Sequence, residues 1–248
     1  SVKIPKLERE KIGLFYDIDV NGDYLKKIHL DAYEQTIARQ FENEVLTSAI
    51  HNQTKTNDKQ YTQGVTLQSN FSLPANNELV IGTQYQHDKI KQDTDGSTRQ
   101  TAATGFFDTQ TRTLSYNEAE QSNTSLFAQN DWRFADDWTW TVGARQYWLS
   151  SKLKRNDTQT LQSSGSTWQS TGGNSVHDDE LVTSTSLRYS GFKDLELRAA
   201  YAQGYVFPTL TQLFMQTSAG GSVTYGNPNL KAEHSNNYEL GARYKGNM

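Results

Sequence analysis

The sequence predicts an all-β fold, an antiparallel transmembrane β-barrel segment of about nine strands. Three observations predict it. Apolar residues recur at every second position in a series of segments, short and long connections alternate between these segments, and aromatic residues gather beside the short connections. Transmembrane barrels have short turns at one end, longer loops at the other, and aromatic girdles at the membrane interfaces.

The apolar alternation defines the strands in chain order. In 12–20 the apolar positions are Ile12, Leu14, Tyr16, Ile18 and Val20. The same period continues in 28–33, 61–73, 79–85, 122–134, 138–148, 180–189, 195–201 and 238–244. Because successive side chains of a strand point to opposite faces, each segment has one apolar face and one polar face.

The connections between these segments fall into two classes. The short ones are 21–22, 74–77, 135–137, 191–194 and 245–247, and the Asn-Gly pair at 21–22 is a strong hairpin signal. The long ones are 42–60, 91–119, 154–179 and 207–233, and they are rich in Asn, Gln, Ser, Thr and Gly. All the long connections come at the same end of the hairpins. We therefore expect periplasmic turns at one end and long extracellular loops at the other.

Composition excludes several classes of protein. The net charge of -4 offers no basic surface for nucleic acid. The lack of cysteine excludes a disulfide scaffold, a zinc–thiolate site and an iron–sulfur cluster. No run approaches ~18 apolar residues, so no transmembrane helix is predicted. There is no Gly-x-Ser-x-Gly, phosphate-binding glycine loop or His-Glu-x-x-His, so we predict no enzyme activity and no catalytic residue.

The aromatic residues mark two levels along the strands. Those beside the short turns are Phe71, Trp132, Phe134, Trp138, Tyr189, Phe192 and Tyr244. Trp138 and Trp148 share one face of a segment, and at ~3.3 Å per residue and a tilt of ~40° they lie about 25 Å apart, the height of a membrane's apolar band. The polar face suits a wet lumen but also a solvated sheet, so a soluble β-sandwich or propeller remains the alternative.

Two short motifs flank the last long connection. The first is Val206-Phe207-Pro208-Thr209, and the second is Asn227-Pro228-Asn229-Leu230 followed by Lys231 and Glu233. This pair resembles the TonB-dependent outer-membrane receptor family, whose members often end one strand near a Phe-Arg-Ala-Pro-like motif and begin the next with Asn-Pro-Asn/Asp-Leu-Lys-x-Glu. The first motif is a degenerate form, whereas the second matches fully, and the strand at 237–241 also fits the family pattern.

The resemblance implies a barrel of about 22 strands closed by an N-terminal plug domain. Residues 1–248 would then be a partial barrel domain, a middle section without the plug. It implies a receptor of the bacterial outer membrane that imports a ferric siderophore, with haem as the alternative cargo and no resident cofactor. The implied partners are outer-membrane lipid, the ferric siderophore or haem, and TonB, which would be contacted through the plug region.

The candidate ligand-binding residues are aromatic side chains in two of the long connections and at one strand end. They are Tyr205, Phe207, Phe214, Tyr225, Phe106 and Phe107. Aromatic rings and arginines suit iron complexes that are aromatic or anionic. The alternative for each of these rings is packing between loops.

The other candidate residues have simpler interpretations. The motif residues are expected to mark loop geometry, because proline ends strands and Asn-Pro begins turns; they are Pro208, Asn227, Pro228, Asn229, Leu230 and Glu233. The arginines of the polar face are expected to pair with acidic residues of neighbouring strands or of the plug; they are Arg133, Arg145, Arg188, Arg198 and Arg243.

Five histidines bear on the choice of cargo, although no metal site is predicted. Haem receptors of the resembled family often carry a ligand histidine between the two motifs, and 209–226 contain none. His29, His51, His87, His177 and His234 could each bind iron or haem through the imidazole, but a solvated histidine is the simpler interpretation. A third hypothesis, from another class, is a soluble or surface-attached β-rich binding module.

Overall fold

The computed structural model describes residues 1–101, 108–219 and 222–246, and most of them are in antiparallel strands. The strands are β1 (Val2–Asp19), β2 (Leu25–Leu46), β3 (Ile50–Leu73), β4 (Asn77–Thr101), β5 (Asp108–Ala135), β6 (Trp138–Gln162), β7 (Gly165–Thr171), β8 (Ser175–Phe192), β9 (Leu195–Val206), β10 (Gln216–Ala219), β11 (Ser222–Tyr225) and β12 (Glu233–Tyr244). One short helix, α1 (Leu210–Phe214), lies between β9 and β10.

The main sheet is a meander in which sequence neighbours pair. Its order is β1-β2-β3-β4-β5-β6-β8-β9-β12. Strand β8 pairs with residues 138–152 of β6, and β7 pairs with residues 156–162 of the same strand, toward the long-hairpin end, which is called the upper end below. Strands β10 and β11 form a separate hairpin. The predicted antiparallel sheet with nine consecutive strands is therefore confirmed. Among the described residues, no helix is long and apolar enough to cross a membrane.

The strands are longer than the sequence period predicts. The interpretation of 42–60, 91–119 and 154–179 as long loops was wrong, because most of these residues continue the ladders on either side of them. Strand β5, for example, has 28 residues, whereas a barrel strand needs about 9–11 to cross a bilayer. The hydrophobic alternation stops at the membrane edge, but Thr-rich polar sequence still supports strand pairing beyond it.

The apolar face of the sheet is exposed and its polar face is partly buried, the reverse of a water-soluble sheet; this arrangement is here called inverted burial. One face, here the outer face, carries exposed apolar side chains: Val65, Leu67, Ile81, Leu126, Val142, Leu187, Leu197 and Leu240. The opposite, inner face carries buried polar side chains, among them Asp58, Gln92, Asn117, Ser125 and Ser151. A water-soluble sheet would bury its apolar face instead. This inversion argues against the soluble module and fits a sheet with lipid outside and a polar lumen inside.

Five of the seven aromatic residues predicted beside the short turns form a continuous chain of ring contacts, namely Trp132, Phe134, Trp138, Tyr189 and Phe192. The ring of Trp138 lies 4.6 Å from that of Tyr189 and 6.3 Å from that of Phe134, and Tyr189 lies 5.0 Å from Phe192. The apolar outer band runs from this aromatic level to Trp148 on β6. Strand residues beyond that level lie outside the membrane-spanning segments.

The short turns at this end differ in geometry. At 74–76 the turn is tight, with positive φ at Ala75 and Asn76 (60° and 58°). The Asn-Gly pair at 21–22 does not form the expected two-residue hairpin turn, because β1 and β2 are joined by the five residues 20–24 and neither residue has a positive φ. The predicted terminal turn at 245–247 reaches beyond the described residues.

Candidate functional site

The last long connection does not project away from the sheet. Residues 207–219 and 222–226, here called the inward segment, fold back onto the inner face of β4, β5 and β6. The side-chain amide of Gln121 on β5 donates to Ser151 Oγ at 2.8 Å and to the carbonyl oxygen of Pro208 at 3.4 Å. These bonds attach the start of the segment to the inner face of β4, β5 and β6, here called the wall. The inward segment therefore lies at the long-hairpin end of the sheet, on its polar face.

A capping box begins α1 inside this segment. The hydroxyl of Thr209 accepts from the backbone N–H of Gln212 at 3.3 Å, and the side-chain oxygen of Gln212 accepts from the N–H of Thr209 at 2.9 Å. Such reciprocal bonds satisfy donors that a helix start leaves free. The Thr-x-x-Gln spacing is a sequence signal that the strand-based interpretation did not use.

The helix packs a small hydrophobic core against the wall. Leu213, Phe214 and Met215 are 0%, 7% and 1% exposed. They meet apolar side chains that the inner face presents at this height, namely Ile90, Ala119 and Leu153, with Val176 and Phe207 at the edge. Full burial of each large side chain contributes ~1.5–3 kcal/mol, so the inward segment is held to the wall by packing.

Gly226 closes the inward segment. Its N–H donates to the carbonyl oxygen of Met215 at 2.9 Å, and the N–H of Asn227 donates to that of Gln212 at 2.8 Å. A Cβ atom at Gly226 would lie 2.5 Å from the backbone nitrogen of Phe214 and 2.7 Å from the carbonyl carbon and oxygen of Leu213. The chain can pass this close to α1 only without a side chain.

The second motif forms the turn that leads out of the segment. The side-chain oxygen of Asn227 accepts from the N–H of Asn229 at 3.0 Å, and its carbonyl oxygen accepts from the N–H of Leu230 at 3.2 Å. Glu233 then opens β12 opposite Val206. Pro208, at the other end of the segment, is buried. These residues shape the loop, as their turn chemistry predicts.

A cavity of about 240 Å³ lies between the inward segment and the wall. Its lining is uncharged: Asn117, Asn156, Thr158, Gln169, Thr171, Phe214, Met215, Gln216, Tyr225 and Gly226. Amide and hydroxyl groups from β5, β6 and β7 form one side, and an aromatic and thioether surface from the segment forms the other. Polar side chains outnumber apolar ones in this lining, whereas most small-molecule sites are lined predominantly by apolar side chains.

A second cluster surrounds Tyr205 at the upper end of β9. The phenol donates to Asp178 Oδ2 at 2.9 Å, and its ring lies 5.4 Å from that of Tyr147 and 5.6 Å from that of His234. Nδ1 of His234 lies 3.6 Å from Glu180 Oε1.

The predicted aromatic ligand residues have different environments. Tyr225 is 72% exposed at the cavity, whereas Phe214 belongs to the small core and Phe207 packs against it. Tyr205 is half-buried in its own cluster. Phe106 and Phe107 lie outside the described residues. The structure thus brings Phe214 and Tyr225 together at one cavity and places Tyr205 elsewhere.

The arginines follow their predicted pairing only in part. Arg198 lies 3.9 Å from Glu239, as expected. Arg145 instead donates to Ser125 Oγ and to Gln84, and its guanidinium lies 5.1 Å from the ring of Phe127 and 5.0 Å from that of Tyr147. Arg188 donates to Thr139 Oγ1 at 3.2 Å.

The histidines are dispersed over the sheet. His29, His51 and His87 hydrogen-bond to Asp17, Glu44 and Ser122, and His177 is exposed on β8. Among the described histidines, His234 is the one whose ring contacts that of Tyr205. Within the described ranges, no group of three or more His, Asp or Glu side chains is arranged to hold a metal ion.

Comparison with solved structures places this sheet among known barrels. The copper transporter OprC superposes with a TM-score of 0.75 at 17% identity over 99% of this chain and 37% of that one. The ferric yersiniabactin uptake receptor FyuA from Yersinia pestis gives 0.59 at 16% identity over 98% and 35%. The ferric citrate transporter FecA, unliganded, gives 0.56 at 15% over 95% and 32%. At these identities the likeness shows the fold, and this chain spans about a third of each structure's length.

Comparison at the level of sequence gives a family. A search of curated proteins yields no match. Residues 6–248 match the family model described as TonB dependent receptor-like, beta-barrel. The match covers nearly the whole chain and agrees with the meander, the inverted burial and the aromatic level of the structure. This chain therefore belongs to the TonB-dependent receptor family and forms part of its β-barrel.

Proposed function

We propose that the chain is part of an outer-membrane receptor that takes up a ferric siderophore with energy delivered through TonB. Proteins of this family are transport receptors of the outer membrane of Gram-negative bacteria. The observation that carries the proposal is the inward segment, which narrows the polar inner face at the long-hairpin end and leaves a cavity lined by amide, hydroxyl and aromatic groups.

The mechanism follows from this placement. Ligand entering from the extracellular end meets the inner face where the inward segment stands out from it. Because Leu213 and Met215 are fully buried against the wall, the segment offers a fixed surface. A transported complex would rest against this surface before a plug domain admits it to the lumen below.

Haem is the second candidate, and one observation favours it. Tyr205 and His234, whose side chains could both ligate haem iron, lie with ring centroids 5.6 Å apart. The phenol is engaged by Asp178, however, so ligation by Tyr205 would require that hydrogen bond to break. The siderophore proposal needs no such rearrangement.

Uptake by the full-length receptor tests the proposal. A strain lacking its other iron receptors is supplied with radiolabelled iron as ferric siderophores or with haem, with and without TonB. TonB-dependent iron uptake from at least one ferric siderophore is expected. Growth on haem alone, lost in His234→Ala and Tyr205→Phe, would replace this proposal by the haem alternative.

A further inference from the structure

A group of lysines lies on the outer face of β3 to β6, above the apolar band. Five side chains form this group, here called the lysine patch, and most of them are exposed: Lys59, Lys89, Lys91, Lys152 and Lys154. Because every second residue of a strand points to the same face, Lys89 shares the outer face with Tyr85 and Lys152 shares it with Trp148, four residues below each. The patch therefore continues the lipid-facing surface upward.

The height of the patch matches that of lipid headgroups. The register aligns Tyr85 and Trp148 on either side of Thr124, and both rings are exposed, so they mark the upper edge of the apolar band. At ~3.3 Å per residue and a tilt of ~40°, Lys89 and Lys152 lie about 10 Å above that edge. Headgroups extend roughly 5–8 Å beyond the hydrocarbon on each side of a bilayer. Long lysine stems can turn their ammonium groups down to that level.

The patch carries more positive charge than its acidic neighbours neutralise. Glu118 forms an ion pair with Lys89 and lies 3.9 Å from Nζ of Lys91. Glu120 lies 2.6 Å from Nζ of Lys154, which occupies a bulge of β6 and reaches the outer face there. Five lysines against two glutamates leave three positive charges without a carboxylate.

Two lysines of the patch directly face each other. Lys59 on β3 and Lys91 on β4 are register partners, and like charges placed opposite each other destabilise a sheet. Nζ of Lys59 lies 4.9 Å from the ring centroid of Tyr61. Within the described ranges, neither Lys59 nor Lys152 has an acidic partner at ion-pair distance. An anion between Lys59 and Lys91 would relieve their repulsion and accept a charge-assisted hydrogen bond from each.

The positive charge is confined to one part of the outer face. At the same height the outer positions of β2 are uncharged, and those of β1 are Glu8 and Glu10. On the upper side of the patch, Arg155 is already paired with Asp157. The outer face at this height is thus divided into an acidic and a basic part, and the basic part is the one that can bind an anion.

We propose that the lysine patch binds the phosphorylated headgroup of a lipid in the outer leaflet, with one phosphate held between Lys59 and Lys91. The acyl chains of this lipid lie on the exposed apolar band below, beside Tyr85 and Trp148. A phosphorylated lipid uses both surfaces at once, whereas a free phosphate uses only the upper one. The inference concerns the outer face of the sheet, so it is independent of the ligand that the receptor transports.

Titration of the purified full-length receptor in a neutral detergent tests the patch, with native mass spectrometry counting the bound lipid. The probes are lipid A, an acylated glucosamine disaccharide with two phosphates, and the same lipid without its phosphates. Each lysine near an anionic headgroup contributes about fivefold in affinity. The double variant Lys59→Gln, Lys91→Gln should therefore bind phosphorylated lipid A roughly 25-fold more weakly and bind the dephosphorylated lipid nearly unchanged.

The matched control is the double variant Lys26→Gln, Lys193→Gln. It removes the same charge at the short-turn end, where both lysines are exposed. The mobility of unheated samples in gels verifies that each variant is folded. Equal weakening in the two double variants, or equal binding of the two lipids by the wild type, overturns the lipid site. Displacement of lipid A by an equimolar amount of inorganic phosphate overturns it as well, because a free anion would then suffice.

Discussion

Substitution of Gly226 by alanine should loosen the inward segment. The added Cβ would lie 2.5 Å from the backbone nitrogen of Phe214, about 1 Å short of an ordinary contact. Every atom that it meets belongs to the backbone of α1, so no side-chain rotation relieves the clash. Either the backbone shifts, or the segment leaves the wall.

The packing of the segment sets the size of the effect. If the inward segment left the inner face, Leu213, Phe214 and Met215 would become exposed. Each of these side chains would then lose ~1.5–3 kcal/mol of favourable burial free energy. A backbone shift within the packed segment costs less, typically ~1–3 kcal/mol for an overpacked site. We therefore expect the shift, and with it a loss of about 1–3 kcal/mol in the local stability of the segment.

Hydrogen exchange in the full-length, detergent-solubilised receptor measures this loss. The amides of Leu213, Met215 and Asn227 donate to carbonyl oxygens of the segment and should exchange roughly 5- to 140-fold faster in Gly226→Ala. Gly191→Ala is the control, because its Cβ would meet only the side-chain ends of Tyr189 and Asp137, which can move. Unchanged exchange in Gly226→Ala would refute the close-packed closure of the segment.

Three further perturbations test other parts of the structure. Leu126→Arg, on the exposed outer band, should lower the free energy of unfolding by ~2–4 kcal/mol in urea titrations of the receptor in lipid vesicles. Gln129→Arg, on the inner face of the same strand, should lower it much less. Equal losses in the two variants would contradict the assignment of faces. The hydrogen bond from Ser170, and to a smaller extent the one from Arg155, holds the pKa of Asp157 below its ordinary 3.8. Because the pKa is lowered in the folded state, these contacts stabilise the fold above pH 3.8, and this stability is lost as the pH falls below that value. Cleavage of 163–174 by pepsin, corrected for the activity of pepsin on an unfolded substrate, should therefore rise below that pH in the wild type and change less in Asp157→Asn. Tyr205→Phe removes the hydrogen bond to Asp178 and should lower the local stability of the upper end of β9 by about 0.5–1.5 kcal/mol, read from hydrogen exchange of 203–206; no change would mean that the bond is not formed in the membrane.

Much of the sheet could be predicted from the sequence because lipid imposes a strict period. Residues such as Leu126, Val142 and Leu197 must face outward, so the alternation fixes both strand and face. Beyond the membrane both faces of a strand meet water or polar lumen, and the period disappears. The parts of β3 to β6 that extend beyond the membrane-spanning segments were therefore interpreted as loops, although threonine-rich sequence such as Thr54 and Thr56 favours strands.

The candidate site was less predictable, because it depends on contacts between distant parts of the chain. The capping box at Thr209 and Gln212 was visible in the sequence and could have indicated a helix in the last connection. The role of Gly226 depends on how close α1 comes to it.

The parts of β2 to β6 that extend beyond the membrane-spanning segments, here called the stems, form a wall with a fixed spacing between strands. A rim made of floppy loops would widen and narrow as they fluctuate, whereas stems joined by continuous ladders hold their spacing to that of neighbouring strands, ~4.8 Å. Sequence drift at a tip such as 47–49 can then change the outermost contour without changing the spacing of the strands below it.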